Sequence, residues 1–165
     1  MSRILKFFFL FLFTLKAHAV LSDDREQKLH IKADSTTLNY KTGVTLYEGH
    51  VIIDQGTSHL LADRLITKRN AQHKIEEAIA YGFKNLAEYR TTLKSGDETL
   101  LAKANVIKFY PLKSLAILEG NALVTQGKNS FQGPHIIYHI NEQTIIAPSS
   151  KEGRATLIID PNQIS

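Results

Sequence analysis

The sequence predicts an all-β domain made of two related halves that share one interior. From Leu29 onward, short runs of Ile, Val, Leu, Tyr and Thr are separated by Gly, Asn, Asp and Lys at intervals of about 8 to 12 residues, the spacing of short antiparallel strands. Leu29, Ile31 and Ala33 alternate with polar residues, and a period of two places them on one face of a strand. The third observation is an internal repeat.

The repeat is found without gaps when the chain is shifted against itself by 71 residues. The shift superposes three dipeptides: Lys32-Ala33 on Lys103-Ala104, Glu48-Gly49 on Glu119-Gly120, and Gln55-Gly56 on Gln126-Gly127. A period of this length is too long for a solenoid coil, and two copies are fewer than a solenoid usually needs. We therefore predict two halves of one continuous sheet sandwich.

The first 19 residues have the features of an export signal. The basic residues Arg3 and Lys6 precede the apolar run of residues 7–13. Ala17-His18-Ala19 is the small-x-small pattern after which signal peptidase cuts. The apolar run is shorter than the about 20 residues that a spanning helix needs, although an uncleaved inner-membrane anchor is the alternative. We predict cleavage after Ala19 and a single domain over residues 20–165.

Charge and composition exclude several classes of function. The whole chain has a formal charge of +4, and loss of Arg3, Lys6 and Lys16 with the signal would leave +1. A nearly neutral domain without a basic block does not favour nucleic-acid binding. The chain has no cysteine, which excludes thiol catalysis and cysteine-ligated zinc.

A change of strand face is predicted near Gly49. Val44 and Leu46 alternate regularly, but the next apolar positions, Val51 and Ile53, are one residue out of step. A β-bulge at the glycine would shift the side-chain parity and restore a common face. A loop at this point is the alternative.

The segment from Ile75 to Tyr89 is ambiguous. Its apolar residues have a spacing that on its own favours an amphipathic helix. Gly82 lies within the segment and counts against a helix.

The first and last predicted strands are candidates for pairing with another protein. They span Leu29–Asp34 and Ala155–Ile159, and Pro161 ends the second because proline cannot donate to a ladder. Both have few of the charges and prolines that protect free sheet edges. Exposed edges of this kind can accept a strand from a partner.

Several segments, in their order along the chain, resemble a known family. They are QKLHIKAD (27–34), GHVIIDQG (49–56), ADRL (62–65), Tyr81-Gly82, GNALVTQG (120–127) and the closing residues 161–164. This pattern is similar to the OstA-like domain family of periplasmic lipopolysaccharide-transport proteins of the LptA type, over nearly the whole chain after the signal. Glu88 departs from the pattern, because the family often has an apolar or aromatic residue there.

The resemblance implies a twisted, slightly open β-jellyroll of many antiparallel strands whose apolar interior holds the acyl chains of lipopolysaccharide. It implies no catalytic residue and no cofactor. It also implies head-to-tail self-association through terminal strands, and links to an LptC-type inner-membrane partner and an LptD-type outer-membrane partner. The same domain occurs in both partners, but a cleavable signal and an end soon after the second copy are typical of the soluble LptA type.

Fifteen apolar positions are predicted to line the lipid-binding interior, and an ordinary hydrophobic core is the alternative for each. They are Leu29, Ile31, Leu38, Val44, Leu46, Val51, Ile53, Leu60, Leu65, Phe109, Leu115, Ile117, Val124, Phe131 and Ile136.

Competing functions have weaker support in the sequence. His135 and His139 are four residues apart, about 13 Å on a strand, which is too far for one zinc ion. No Gly-x-Ser-x-Gly turn and no His-x-His cluster occurs, which disfavours a serine hydrolase and a cupin-like enzyme. A periplasmic scaffold that joins end to end and carries no lipid remains the principal alternative.

Overall fold

The computed structural model describes residues 24–93 and 98–161. This part of the chain forms twelve β-strands, with short 3-10 turns at Asp24–Glu26 and Pro111–Lys113. The strands are β1 (His30–Lys32), β2 (Ser35–Asn39), β3 (Val44–Gln55), β4 (Ser58–Arg69), β5 (Ile75–Tyr81), β6 (Ala87–Thr92), β7 (Thr99–Ala104), β8 (Val106–Tyr110), β9 (Leu115–Gln126), β10 (Asn129–His139), β11 (Thr144–Ile146) and β12 (Thr156–Ile158).

The strands form two antiparallel sheets that share four long strands. The upper sheet has the order β2-β3-β4-β5-β8-β9-β10-β11, and the lower sheet has the order β1-β3-β4-β6-β7-β9-β10-β12. Strands β3, β4, β9 and β10 each contribute one end to the upper sheet and the other end to the lower sheet. Each long strand must therefore bend where it passes between the sheets.

The bend in the first half lies at Gly49, where an irregularity was predicted. Glu48 pairs with Arg64 but the next paired residue of β3, Val51, lies opposite Ala62, so β3 carries one extra residue. Gly49 and His50 have φ angles of 75° and 45°, a left-handed conformation that glycine adopts at little cost. The predicted bulge is confirmed.

The second half repeats this bend. Gly120 and Asn121 have φ angles of 73° and 50°, and the register of β9 and β10 shifts at the same place. The Asp34 amide donates to the Gly49 carbonyl at 2.9 Å, and the Asn105 amide, 71 residues further on, donates to the Gly120 carbonyl at 2.8 Å. The two predicted halves are therefore real structural copies.

The segment between the halves contains strands instead of the helix that its apolar spacing suggested. β5 joins the upper sheet beside β4, and β6 joins the lower sheet beside the other end of β4. Gly82 lies at the step between them and is buried, and its amide donates to the Asn105 carbonyl at 2.8 Å. The apolar residues of this segment are spaced as in a helix because the chain passes from the upper to the lower sheet here. The alternation of inward and outward side chains starts again in the second sheet.

One hydrophobic core lies between the two sheets. Its largest fully buried side chains are Leu65, Leu118, Ile136 and Val51, which come from both sheets and lie near the bends. Two sheets connected by shared strands around one core form the predicted β-jellyroll. In the described strands, β1 and β2 pair only with β3, and β11 and β12 only with β10, so the roll stays open between its first and last strands.

None of the helical segments within the described ranges has the length and apolar character that crossing a membrane requires. Residues 1–19, where we predict a cleaved signal, lie outside those ranges.

Candidate functional site

The inner face of the lower sheet carries an apolar side chain on every strand. Cross-strand pairs connect these residues into one continuous row, which we call the inner row. Its members, in sheet order, are Ile31, Ile53, Leu60, Tyr89, Ala102, Val124, Phe131 and Leu157. The row offers a hydrocarbon-like surface about 34 Å long, at about 4.8 Å per strand spacing.

A row of small residues lies beside the inner row, on the side of the bends. It includes the cross-strand pairs Val51–Ala62, Ala87–Ala104 and Ala122–Gly133. Apart from Val51, each of these is alanine or glycine. Small side chains here let the two sheets approach closely beside the larger side chains of the inner row.

The inner face of the upper sheet continues the apolar surface to the opposite end of the molecule. Leu38 and Phe109 lie on this face, since they pair with Thr45 and with Ala78 and Ala116. They are 39% and 37% exposed, as is typical of apolar residues at an open mouth. Leu157, at the edge of the lower sheet, is 56% exposed. The interior is thus filled near the bends, and its apolar face is exposed at the far end of the upper sheet and along the last strand of the lower sheet.

Burial perturbs one tyrosine of this face. Tyr138 pairs with Ala116 and Ile145 on the upper inner face. Its partial burial raises the pKa of the phenol above its ordinary value, so the hydroxyl is neutral at physiological pH. The face contributes no charge at this position.

Eleven of the fifteen predicted positions are compatible with an interior placement, with different degrees of burial. Val51, Leu65, Val124 and Ile136 are buried in the core, while Leu29, just before β1, is 45% exposed. The others belong to the inner row or to the upper inner face: Ile31, Ile53, Leu60, Phe131, Leu38 and Phe109.

The other four positions lie on the outer face, so the prediction that they face the interior is wrong. They are Val44, Leu46, Leu115 and Ile117, and their neighbours Thr45, Tyr47, Ala116 and Leu118 point into the core. The alternation pattern assigned the wrong face because the upper sheet has apolar residues on both faces and because its inner face includes a threonine. Thr45 and its cross-strand partner Thr67 are 3% and 6% exposed.

Sequence reasoning missed several members of the interior. Tyr89, Ala102 and Leu157 belong to the inner row but were not predicted. The alternation of Leu100, Ala102 and Ala104 was the available signal, and all three are buried. Glu88, which departs from the family pattern, points outward and forms an ion pair with Lys103 at 2.7 Å. The groove can still be lined by its neighbours Ala87 and Tyr89, which pack in the core.

The basic residues near the bends are held by carboxylates on the outer face. Arg64 Nη2 lies 2.8 Å from Glu48 Oε1, and Lys108 Nζ lies 2.8 Å from Glu119 Oε1. The ion pair raises the pKa of the Lys108 ammonium, mainly through the hydrogen bond that Nζ donates to Glu119. These cations are therefore neutralised locally and form no concentrated anion site.

Asp24 fastens the start of the described chain to the lower end of the roll. Its carboxylate accepts hydrogen bonds from the Thr57 amide at 3.0 Å, from the Thr57 hydroxyl at 2.9 Å and from the Ser58 hydroxyl at 2.7 Å. Burial opposes ionisation of Asp24, but hydrogen bonds from Thr57, Ser58 and Thr91 outweigh that effect and lower its pKa. The carboxylate therefore joins the N-terminal segment to β4 and β6.

We expect Asp24→Ala to release this segment. A carboxyl group whose pKa is lower in the folded than in the unfolded protein stabilises the folded state at any pH above its unfolded pKa. This stabilisation is lost as the pH falls through the pKa of the folded state. Hydrogen exchange at the Thr57 amide should therefore speed up in Asp24→Ala at pH 7, and in the unmodified protein only in acid below the ordinary aspartate range. Glu26→Ala, in the same exposed turn, is the control. Equal exchange in all three proteins at pH 7 would contradict the assignment.

The described residues offer no obvious site for metal chemistry. No three His, Cys, Asp or Glu side chains among them come together as a metal-binding group. The clefts at the two bends, of about 370 and 260 Å3, are lined mainly by polar residues of the outer face. The candidate binding site is therefore the apolar interior.

The fold and the interior define a class of protein: a β-jellyroll that is open between its first and last strands and presents a long apolar inner face. Known proteins with this architecture allow a closer assignment. The family described as LptA/(LptD N-terminal domain) LPS transport protein matches residues 30–144. The chain belongs to this family.

Individual relatives agree with the family. The chain is 29% identical over 152 residues to the lipopolysaccharide export system protein LptA of Escherichia coli (strain K12), covering 92% of this chain and 80% of that one. It is 30% identical over 136 residues to the lipopolysaccharide export system protein LptH of Pseudomonas aeruginosa, covering 82% and 74%.

A solved structure shares the fold. It is the crystal structure of LptH from Pseudomonas aeruginosa, described as the LptA homologous periplasmic component of the conserved lipopolysaccharide transport device. The two structures have a TM-score of 0.74 at 26% sequence identity, and the alignment covers 84% of this chain and 99% of LptH.

Proposed function

We propose that this protein carries lipopolysaccharide across the periplasm by holding its acyl chains between the two sheets. The proposal rests chiefly on the inner row, which is apolar on all eight strands of the lower sheet. Moving an acyl chain of a dozen carbons from water to an apolar surface gains on the order of 10 kcal/mol, at about 0.8 kcal/mol per CH2. Sugars and phosphates would stay in solvent at the open side of the roll.

The proposal extends to the assembly of a bridge. We propose that residues 1–19 direct export and are removed, and that the mature protein joins an LptC-type inner-membrane component to an LptD-type outer-membrane one. Copies would join head to tail through their terminal strands. β1 and β12 are three residues long and lie at the two edges of the lower sheet. Within the described ranges each pairs with a strand on one side only, so its other side could accept an added strand.

A scaffold without lipid cargo is the second candidate, and one observation favours it. Leu65, Leu118, Ile136 and Val51 fill the interior near the bends and have almost no exposed surface. A carrier must therefore admit acyl chains from the open ends or separate the sheets slightly. A scaffold would need neither.

Photo-crosslinking at adjacent residues separates the two candidates. Ile53 and Leu60 face the interior, while Ile52 and Leu61, their neighbours of the same residue type, face outward. We expect a photo-reactive residue at 53 or 60 to form adducts with purified lipopolysaccharide, and the same residue at 52 or 61 to form few or none. If folded protein gives no adducts at 53 and 60, or equal adducts at all four positions, the carrier proposal fails and the scaffold is favoured.

A further inference from the structure

The outer face of the upper sheet carries a second apolar row, which the proposed function does not use. Cross-strand pairs align six large aliphatic residues on this outer face, interrupted only by Lys108. We call these residues the outer belt: Leu46, Ile66, Ile79, Ile117, Ile137 and Ile146.

The outer belt is unusual for a surface that faces solvent. Antiparallel sheets with one buried face normally alternate apolar inward and polar outward. Here Leu46, Ile66, Ile79, Ile117 and Ile137 are half-buried by one another, and Ile146 is 42% exposed. Contiguous apolar patches of a few hundred Å2 mark interaction sites more often than chance.

The charges that flank the belt are nearly balanced. The neighbouring outer rows and the belt contain three basic residues, Arg64, Lys68 and Lys108. The acidic residues are Glu48, Glu77 and Glu119, together with Glu76, which pairs with Lys68 at 2.8 Å. A face with no excess of cations has no electrostatic attraction to an anionic lipid surface. A planar membrane would also fit a twisted sheet poorly.

A second copy of the chain fits the belt better. Two sheets with the same twist pack face to face, with their strands about 30° apart, and two copies of one sheet have the same twist by construction. We propose that the outer belt is the interface of a two-fold symmetric, face-to-face dimer. This inference is independent of the lipid-carrier proposal.

Charge complementarity supports the two-fold arrangement. An axis between β5 and β8, about 15° from the strand direction, bisects this crossing angle. It reverses the strand order of the second copy, so β4 lies over β9 and β3 over β10. Arg64 then faces Glu119 of the second copy, and Glu119 faces Arg64 of the second copy, because both residues occupy one outer row. Opposite charges face each other on both sides of the axis.

The size of the surface is adequate for a weak to moderate dimer. The face is eight strands wide, at about 4.8 Å per strand, and three rows high, at about 7 Å between rows. Its projected area is therefore on the order of 500 Å2 per copy. The accessible area is larger than the projection, and stable interfaces bury about 800 Å2 per partner.

The first test measures self-association by sedimentation equilibrium of the purified full chain. Ile137→Asp places a carboxylate opposite Leu46 of the second copy, where the belt has no cation, and is expected to raise the dimer dissociation constant at least tenfold. Ile52→Asp makes the same change on the outer face of the lower sheet, at a residue that is also half-buried, and should leave dimerisation unchanged. Circular dichroism and thermal melting check that both variants fold. A protein that is monomeric throughout, or equal effects of the two substitutions, would overturn the proposal.

A crosslinking test keeps the proposal falsifiable if Ile137→Asp fails to fold. The chain contains no cysteine, so Ile66→Cys/Ile117→Cys introduces a unique pair, on β4 and β9 of the upper sheet. The two-fold axis places position 66 of one copy opposite position 117 of the second copy. A short bismaleimide should therefore crosslink the belt pair into covalent dimers, without higher oligomers. The matched pair Leu61→Cys/Leu123→Cys lies on the same two strands in the lower sheet and should give none. A ladder of higher oligomers from the belt pair, or equal dimer yields from both pairs, would overturn the two-fold interface.

Discussion

Leu60→Asp is expected to reduce lipopolysaccharide binding at least tenfold while the protein stays folded. Leu60 lies within the inner row, with Ile53 on one side and Tyr89 on the other. A carboxylate at this position must be desolvated when an acyl chain covers the row, and an unpaired buried charge costs several kcal/mol. A loss of only 1.4 kcal/mol already corresponds to a tenfold change in affinity.

Leu61→Asp provides the matched control. Leu61 is the next residue of β4, points outward and is 45% exposed, so the new carboxylate remains in water. Equilibrium binding of fluorescent lipopolysaccharide to the two variants and to the unmodified protein measures the difference. Equal binding by both variants would show that acyl chains do not contact the inner row. Equal loss in both would show that the effect is not specific to the interior.

The architecture followed from the sequence because its strongest signals are local or repeated. The shift of 71 residues predicted two copies, and the paired bends at Gly49 and Gly120 repeat to within a few degrees of φ. Glycine at both bends was visible because few other residues adopt a left-handed backbone readily. The bulge could therefore be located before the sheets were known.

The faces of the upper sheet could not be assigned from the sequence for a physical reason. Alternation identifies the core face only when the other face is polar. On β3 and β9 the outward positions Leu46 and Ile117 are as apolar as the inward ones, and buried Thr45 breaks the inward pattern. The same outer apolar residues that caused the error form the outer belt.

The small residues that complete the interior could not be predicted from the sequence, for a second reason. Ala62, Ala87, Ala104 and Ala122 are small, and alanine is common in helices, strands and loops alike. Ala87 and Ala104 pair with each other and have no exposed surface. Only the register of the strands reveals that these residues form one row. Sequence pattern alone cannot supply that register across strands that are distant in the chain.

Gly82→Ala is expected to destabilise the protein by about 3 kcal/mol or more, within the range of severe packing defects. A Cβ atom at Gly82 would overlap the Asn85 carbonyl oxygen and the Ala87 amide nitrogen. Both are backbone atoms, so no side-chain rotation can relieve the overlap. The start of β6 would have to move, although Ala87 is fully buried in the core.

Gly133→Ala is the matched control for this substitution. A Cβ atom there would meet its nearest neighbours, in Ala155 and His135, at 3.6 to 3.8 Å, which is ordinary van der Waals contact. We expect a change within about 0.5 kcal/mol, because alanine lowers the entropy of the unfolded chain where the native backbone tolerates it. Urea unfolding followed by circular dichroism measures both free energies of unfolding. Similar stabilities for the two variants would mean that the turn from β5 to β6 can relax, and that the passage between the sheets does not depend on the close approach at Gly82.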